Sequence, residues 1–346
     1  MKVGELELSG RAILAPMAEV TDAPFRTICK ENGAGLTFTQ MVSAEGVFKN
    51  SFGTLKYLSF SKNEKPIGVQ LLGNNPDYIF KAIKDLKELK PDIIDLNCGC
   101  SVTKVCQNNM GASLLDHPDK IRLLAGRMKE AAGGIPVSIK MRAGRSRQKI
   151  NIEDNAKAAE DGGASMIIVH GRVRADEYSD APDWSWIKRA KQAVSIPVVG
   201  NGSLFEPSDC IKMMDETGCD AVLIARGALG NPFIFSRLNS ILTSGKDIEI
   251  GAEEIHKTAL KHFRMMIDDV GEERGIKSAR KHLAWYYKYQ DGISKFIEKI
   301  YSLENKELVE EYLAEHTENI INGVYPKEDF ERIRKSFNER VLFWMN

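Results

Sequence analysis

Several features that define special classes of protein are scarce or missing in this chain of 346 residues. Lys+Arg and Asp+Glu both number 48, so a net charge of zero gives no global attraction to nucleic acid or anionic membranes. No apolar run approaches the ~20 residues that span a bilayer, and the first residues lack the apolar segment of a signal peptide. Six cysteines are too few for a secreted disulfide scaffold. We therefore expect a cytoplasmic protein with free thiols and no membrane association.

The chain does contain a regular alternation of short β-branched runs and amphipathic segments, from about residue 12 to residue 235. This alternation is typical of repeated βα units around a parallel sheet. Eight strands are predicted, at residues 12–17, 36–42, 67–72, 93–96, 137–141, 166–170, 198–201 and 221–225. Helices are predicted between them at residues 76–89, 118–132, 154–161, 184–194 and 207–217.

Eight parallel strands within about 225 residues fit a closed α/β barrel of the (β/α)8 or TIM type. An open doubly wound sheet is the alternative. We favour the barrel because no Gly-x-Gly-x-x-Gly motif follows the first strand, where a dinucleotide-binding sheet would carry it. Beyond about residue 245 apolar residues recur at helical spacing. We therefore expect a catalytic barrel over residues 1–242 and a small all-α domain over residues 243–346.

Polar residues, and one glycine beside them, occur at the ends of the predicted strands, where barrels of this class carry their active sites. They are Gln70 in the third strand, Asn97, Cys98 and Cys100 after the fourth, Lys140 and Arg142 at the fifth, His170 and Arg172 at the sixth, Asn201, Gly202 and Ser203 at the seventh, and Arg226 at the eighth. Each alone could be a hydrogen-bonded core or edge residue. Their convergence on one rim predicts a functional site there.

The seventh and eighth strands end in glycine-containing turns. Backbone N–H groups in such turns can bind a phosphate, with Arg226 adding a charge-assisted bond. A plain turn with a solvated arginine is the alternative. A cation such as Lys140 near the centre of the rim would stabilise negative charge on a reduced flavin or an enolate. A phosphate site beside a central cation is what flavin mononucleotide (FMN) requires.

Cys98, Cys100 and Cys106 lie close together in the sequence and allow more than one interpretation. A zinc site would need further ligands, because His117 is the only nearby histidine and no second cysteine pair follows at the right spacing. We therefore predict no metal. A thiol with an ordinary pKa of about 8.5 is mostly protonated at neutral pH, so an exposed cysteine here could act as a general acid. Plain packing is expected of Cys29, Cys210 and Cys219.

Residues 274–299 carry seven basic residues against two acidic ones, interleaved with Trp285, Tyr286, Tyr287 and Tyr289. Basic and aromatic residues on helices suit phosphate contacts and base stacking on RNA. An amphipathic helix with a solvated basic face and a buried aromatic stripe is the alternative. The candidate RNA-binding residues are Arg274, Lys277, Arg280 and Lys281.

Seven motifs that follow in order along the barrel resemble those of the tRNA-dihydrouridine synthases. They are LAPMAEVTDAPFR (14–26), VQLLGNNP (69–76), DLNCGC with a following KV (95–105), IKMRAG (139–144), VHGR (169–172), VVGNGS (198–203) and ARGALGNP (225–232). In the helical part, ARKHLAWY (279–286) is similar to a segment of that family's RNA-binding domain. The resemblance therefore covers most of the chain.

The resemblance implies an FMN-dependent enzyme that uses NADPH to saturate the C5=C6 bond of particular uridines in tRNA, and we expect it to be a monomer. Flavin N5 would deliver hydride to C6, Cys100 would protonate C5, and Asn97 would lie near the target base. The matched FMN-binding positions are Pro16, Met17, Ala18, Gln70, Lys140, His170, Asn201, Gly202, Ser203, Ala225 and Arg226. The alternative is a flavin-dependent barrel oxidoreductase acting on a free pyrimidine or another small enone.

Three features depart from the family pattern. Ser101 stands where proline usually follows the catalytic cysteine, which makes that loop less rigid. Ser203 replaces a usual Asp and removes a carboxylate from the ribityl end of the FMN site. The segment RSRQKIN (145–151) is more basic than expected and is a candidate extra RNA contact.

Overall fold

The computed structural model describes residues 1–327, which form a parallel barrel followed by a group of helices. The barrel strands are β1 (Ala12–Leu14), β2 (Thr37–Phe38), β3 (Ile67–Leu72), β4 (Ile93–Cys98), β5 (Val137–Arg142), β6 (Met166–His170), β7 (Val198–Asn201) and β8 (Ala221–Ile224). They pair in parallel in the order β1-β8-β7-β6-β5-β4-β3-β2. A parallel bridge between Ile13 and Leu36 joins the two ends of this order. The predicted barrel is therefore confirmed.

The strands are buried on both faces, which is why they appear in the sequence as continuous apolar runs rather than alternating ones. All six residues of β3 and all six of β4 are buried. The strand predicted over residues 36–42 is wrong in its second half, because β2 ends at Phe38 and Val42–Ser43 pairs separately with β3. Between them, Gln40 turns its side-chain oxygen to the backbone N–H of Glu19, at 2.7 Å.

Within residues 1–327, seven helices of nine residues or more surround the barrel: α1 (Ala23–Glu31), α2 (Pro76–Leu86), α3 (Pro118–Ala132), α4 (Ile152–Asp161), α5 (Ser185–Ala193), α6 (Pro207–Thr217) and α7 (Ile234–Ser244). Proline in the first turn starts α2, α3 and α6, where its missing N–H costs nothing. Helix α1 was not predicted, although the sequence holds a start signal: Asp22 precedes it, and its side chain accepts the N–H of Phe25 at 2.9 Å.

Shorter elements fill the connections. Between β2 and β3 lie helices at Ala44–Phe48 and Phe52–Leu55 and 3-10 turns at Lys56–Leu58 and Lys62–Glu64. After β4 come a helix at Thr103–Gln107 and a 3-10 segment at Gly111–Asp116. Two small antiparallel hairpins pair Lys2–Val3 with Leu6–Glu7 and Gly144–Ser146 with Lys149–Ile150.

The helices that follow the barrel are α8 (Ala252–Val270), α9 (Glu272–Tyr286), α10 (Ile293–Ile300) and α11 (Lys306–Ile321). They pack around an apolar cluster that includes Phe263, Leu283, Phe296 and Leu313, distinct from the cluster that fills the barrel. The predicted all-α region is thus confirmed. The domain boundary at residue 242 stays a prediction, and α7 continues through that residue. Residues 328–346 of the predicted helical domain lie outside the described residues. No helix within residues 1–327 is long and apolar enough to cross a membrane.

The aromatic side chains at the end of α9, and that of Tyr287 directly after it, belong to the two apolar clusters. Trp285, Tyr286 and Tyr287 are 4%, 3% and 0% exposed, which leaves no face open for a base. Trp285 packs with the barrel cluster and the two tyrosines with the helical one. The interpretation of these three residues as stacking platforms for bases is therefore wrong, and the alternative, a buried aromatic stripe, is correct. Tyr289, just beyond the helix, is 41% exposed.

Candidate active site

A cavity opens at the carboxyl ends of the barrel strands, and most of the predicted cofactor-binding residues line it. These are Pro16, Met17, Lys140, His170, Asn201, Gly202, Ser203, Ala225 and Arg226. Ala18 is exposed on the turn after β1, and Gln70 lies deeper inside the barrel, so neither lines this cavity. Strand-end position therefore predicts which side chains converge, because parallel strands carry their carboxyl ends to one rim.

Positive charge is concentrated in this cavity, and none of the described residues that line it is acidic. Arg172 lies 3.1 Å from the His170 ring nitrogen Nε2 and donates to the Tyr178 carbonyl at 3.0 Å and to Ser203 Oγ at 3.1 Å. Arg226 lies 3.4 Å from the same Tyr178 carbonyl. Within residues 1–327 neither guanidinium has an ion-pair partner. Buried cations without a counter-ion suit a phosphate or another anion.

Burial and mutual repulsion lower the proton affinity of these groups. Burial, with Arg142 as the next cause, lowers the pKa of Lys140 to about 8, so it stays mostly charged at pH 7. Burial first, and then the charges of Arg142 and Lys140, holds the pKa of His170 well below its usual value. His170 is therefore neutral and can both donate and accept a hydrogen bond. An anion in the cavity would relieve the repulsion among the cations.

The turn after β7 brings its backbone close to the cavity. Gly202 has a φ of +136°, and a Cβ there would lie 3.1 Å from Pro182 Cβ and 3.4 Å from His170 Cδ2. Asn201 fixes the strand end by donating to the Leu223 carbonyl at 2.7 Å. A side chain at position 202 would be strained by this φ and would crowd Pro182 and His170, so the turn favours glycine.

A chain of hydrogen bonds inside the barrel holds the loop after β4. Asp95 accepts from Ser138 Oγ at 2.6 Å and from Gln70 Nε2 at 2.7 Å. Gln70 Oε1 then accepts from Asn97 Nδ2 at 2.9 Å. Asn97 Oδ1 in turn accepts the backbone N–H of Cys100 at 2.8 Å. Although Ser138 and Gln70 bond to it, burial raises the pKa of Asp95 to about 7.

Cys100 lies at the end of this series of hydrogen bonds and is partly exposed. The carbonyl of Cys100 accepts the N–H of Ala112 at 2.9 Å, and Arg142 donates to the Gly99 carbonyl at 3.0 Å, so the loop is held on both sides although Ser101 is not a proline. Burial raises the pKa of the Cys100 thiol, which keeps it protonated at neutral pH. Cys98 is fully buried, and burial raises its pKa far more. Of these two thiols, only that of Cys100 is accessible at the barrel rim.

Asp95, Ser138 and Tyr178 belong to the site but were not predicted from the sequence. Asp95 carried a usable signal, because a carboxylate in the middle of an apolar strand must be partnered or functional. Ser138 and Tyr178 carried none. Tyr178 lies in the connection after β6, and its ring faces the guanidinium groups of Arg142 and Arg226 at 5.7 and 5.3 Å. Within the described residues no group of His, Cys, Asp or Glu side chains is arranged to hold a metal ion.

The four candidate RNA-binding residues have different environments. Arg274 is exposed and faces a cavity between the barrel and the helical region. Lys277 is exposed and bonds to Glu273 at 2.7 Å. Arg280 donates to the Leu303 carbonyl at 2.7 Å, and Lys281 donates to the Glu19 carbonyl at 2.6 Å, which fixes α9 on the barrel. Their contact with RNA stays a prediction.

The basic segment 145–151 forms part of the hairpin after β5. Arg145 lies 3.3 Å from Asp116, and Arg147 forms two bonds with Asp176, at 3.0 and 3.1 Å. These contacts use part of the donor capacity of both arginines within the protein. The extra RNA contact expected of this segment stays a prediction.

The barrel thus carries a cavity lined by cations and a protonated thiol at the carboxyl ends of its strands, where barrel enzymes have their active sites. The family described as dihydrouridine synthase (Dus) matches residues 13–322. The chain is 35% identical to tRNA-dihydrouridine synthase B of Pseudomonas aeruginosa over 324 residues, which is 92% of this chain and 97% of that protein. It is 35% identical to tRNA-dihydrouridine synthase B of Escherichia coli over 289 residues, 83% of this chain and 89% of that one. The chain therefore belongs to the dihydrouridine synthase family.

Solved structures with similar folds support the barrel assignment. One is the 6-hydroxypseudooxynicotine amine oxidase of Pseudomonas geniculata, with a TM-score of 0.56 and 14% sequence identity. The match covers 75% of this chain and 52% of that one, so the chain spans about half the length of that enzyme. At this identity the likeness establishes the fold alone.

Proposed function

We propose that the protein is a tRNA-dihydrouridine synthase that acts in the cytoplasm as a monomer, with FMN as cofactor and NADPH as reductant. It reduces the C5=C6 bond of particular uridines in tRNA. The observation that carries the proposal is the shared rim: Cys100, a protonated thiol, follows β4, and a cavity of unpaired cations lies beside it. The family membership of the whole barrel supports the same reaction.

The cavity fits the chemistry of FMN. Arg226, with the turn at Gly202 and Ser203, would hold the phosphate, because these groups present donors and have no carboxylate partner within residues 1–327. Lys140 and His170 would border the ring, with Pro16 and Met17 on its apolar side. When bound, FMN would supply hydride for C6 of the uracil.

Cys100 would complete the reduction by giving its proton to C5. Hydride addition at C6 leaves enolate-like charge on C5 and O4, and a positioned acid quenches that charge. The raised pKa keeps the proton on the thiol until it is needed. Asn97 accepts the backbone N–H of Cys100 and so holds the part of the loop that carries the thiol.

The target base must leave the tRNA fold to reach this rim, which costs a few kcal/mol. Contacts between the tRNA body and the helical region would supply that energy. Arg274 and Lys277 are exposed on α9 and would make these contacts.

The purified chain, loaded with FMN, is incubated with NADPH and unmodified tRNA. The tRNA is then digested, and its nucleosides are analysed by mass spectrometry. We expect dihydrouridine, heavier than uridine by two hydrogen atoms, among the nucleosides of the tRNA, and no reaction with free uracil or uridine. Reduction of the free pyrimidines with intact uridines in tRNA would favour the small-molecule alternative. Mapping the tRNA of cells that lack the protein then identifies the position.

A further inference from the structure

A second cavity, of about 430 Å³, lies between the barrel and the helical region. Its barrel wall includes Gln40 and the short elements at residues 52–59, and its other wall is the junction of α8 and α9. The volume falls within the ~300–1,000 Å³ of small-molecule sites. None of its described lining residues contributes to the cofactor cavity, so the two are separate.

The two cavities are neighbours across one turn. Met17 lines the cofactor cavity and Glu19 lines the second one. Two residues of chain span at most about 7 Å. A second short contact connects the two regions. Gln40 lines the second cavity, and the sulfur of Met41, the residue after it, lies 3.7 Å from Asn97 Nδ2. A nucleotide next to the one at the barrel mouth can therefore reach the second cavity.

An aromatic side chain stands open at this cavity. Phe52 is 85% exposed, although it is a large apolar residue on a short helix. Beside it, Tyr57 is partly buried, and the Lys56 ammonium lies 4.7 Å from the centre of its ring. A phenylalanine so exposed contributes little to the core, whereas an open aromatic face is what a nucleobase stacks on.

The polar groups of the wall can distinguish bases. Gln40 is 8% exposed, and its amide nitrogen has no hydrogen-bond partner within residues 1–327. Within residues 1–327 neither Asp22 nor Asp269 forms an ion pair; Asp22 uses Oδ1 to accept the N–H of Phe25, which leaves its Oδ2 without a hydrogen-bond partner. Burial raises the pKa of Asp22 to about 6, although Arg26 and Lys281 act against that rise. Carboxylates accept hydrogen bonds from exocyclic amino groups of bases. Uracil has no such group and would turn a carbonyl toward them.

We infer that this cavity binds a second nucleotide of the substrate RNA, one whose base carries an exocyclic amino group. The base stacks on Phe52, its amino group donates to Asp22 and Asp269, and Arg274, which has no partner within residues 1–327, holds the phosphate. The inference rests on the proposed function, because it takes RNA as the substrate. It makes this cavity part of what decides which uridine is reduced.

The first test measures binding of CMP, AMP, GMP and UMP to the FMN-loaded full chain by saturation-transfer NMR. We expect stronger binding of the three amino-bearing nucleotides than of UMP, and a loss of roughly tenfold in Phe52→Ala. The control is Phe48→Ala, which removes an aromatic ring of the neighbouring short helix that does not line the cavity. Equal binding of all four nucleotides, or binding unaffected by Phe52→Ala, overturns the inference.

The second test separates this inference from the proposed function. With tRNA as substrate, Phe52→Ala and Asp269→Ala raise KM roughly tenfold and change kcat less than twofold, while Asp268→Ala, altered at the adjacent exposed position, behaves like the unaltered chain. If the unaltered chain reduces tRNA and both cavity variants match Asp268→Ala, the cavity has no such role. If the unaltered chain forms no dihydrouridine, the proposed function fails instead.

Discussion

The side chain of Gln70 donates to Asp95 at 2.7 Å and, through its oxygen, accepts from Asn97 at 2.9 Å. Because a side-chain amide has one donor end and one acceptor end, the carboxylate of Asp95 decides which way the amide of Gln70 faces. That orientation passes to Asn97 and from there to the backbone of Cys100. A buried residue inside the barrel thus determines where the proposed proton donor lies.

Asp95→Asn should slow reduction of tRNA roughly 5- to 150-fold with little change in flavin content. The amide would present a donor to Gln70 or to Ser138, and an unsatisfied buried donor costs about 1–3 kcal/mol. Asp95 has a pKa of about 7, so the rate of the unaltered chain should also fall below that pH, as the carboxylate gains a proton. Single-turnover rates across pH test both points, with exposed Asp85→Asn as control. An unchanged rate and pH profile would contradict this role.

Arg226→Met should weaken FMN binding roughly 10- to 150-fold, because a bond to a charged group contributes about 1.5–3 kcal/mol. Riboflavin lacks the phosphate, so its affinity should not change in the same variant. Fluorescence quenching of both flavins measures the difference, and exposed Arg122→Met serves as the control. Equal losses for FMN and riboflavin would place the phosphate elsewhere.

FMN affinity should decrease as the pH rises above about 8. Burial lowers the pKa of Lys140 to about 8, so above that value the free protein carries a neutral amine and must take up a proton to bind an anionic ligand. The dissociation constant should therefore rise up to about tenfold per pH unit there. Lys140→Met should give a flat curve over the same range. A flat curve for the unaltered chain would show that Lys140 does not face the cofactor.

Acid should destabilise the contact between the barrel and the helical region. His262 and His282 pack with Phe25 of α1, and both are 1% exposed. Burial lowers the pKa of His262 to about 3 and that of His282 well below the usual value. A group whose folded pKa is lowered stays neutral in the fold and is protonated on unfolding. Stability is therefore full above about pH 6.5 and is lost as the pH falls, by about 1.4 kcal/mol per pH unit for each histidine.

His282→Phe should make the free energy of unfolding depend less steeply on pH, by about 1.4 kcal/mol per pH unit, because one histidine fewer takes up a proton on unfolding. Urea unfolding at about pH 7.5 and about pH 5 measures it. The same slope in the variant and in the unaltered chain would show that His282 is already protonated in the fold.

The sequence predicted the barrel and much of its rim because both depend on local pattern. Buried β-branched runs mark parallel strands, and a polar residue at a strand end must lie at the shared rim. The network below the rim depends instead on register, which local pattern does not specify. Gln70 is the register partner of Asp95, and Asp95 that of Ser138, across three neighbouring strands. Likewise, the burial of Tyr286 and Tyr287 depends on how α9 packs on its neighbours, so composition alone could not decide between exposed and buried aromatic faces.

The most direct test of the account is single turnover with Cys100→Ala, loaded with FMN. We expect NADPH to reduce the flavin at the rate of the unaltered chain, because the thiol takes no part in that step. The subsequent reaction with tRNA should then be slower by about 10²–10⁴-fold, the usual contribution of a positioned acid. Dihydrouridine formed at the unaltered rate would contradict the assignment of Cys100, and a variant or unaltered chain that binds no flavin would contradict the whole site.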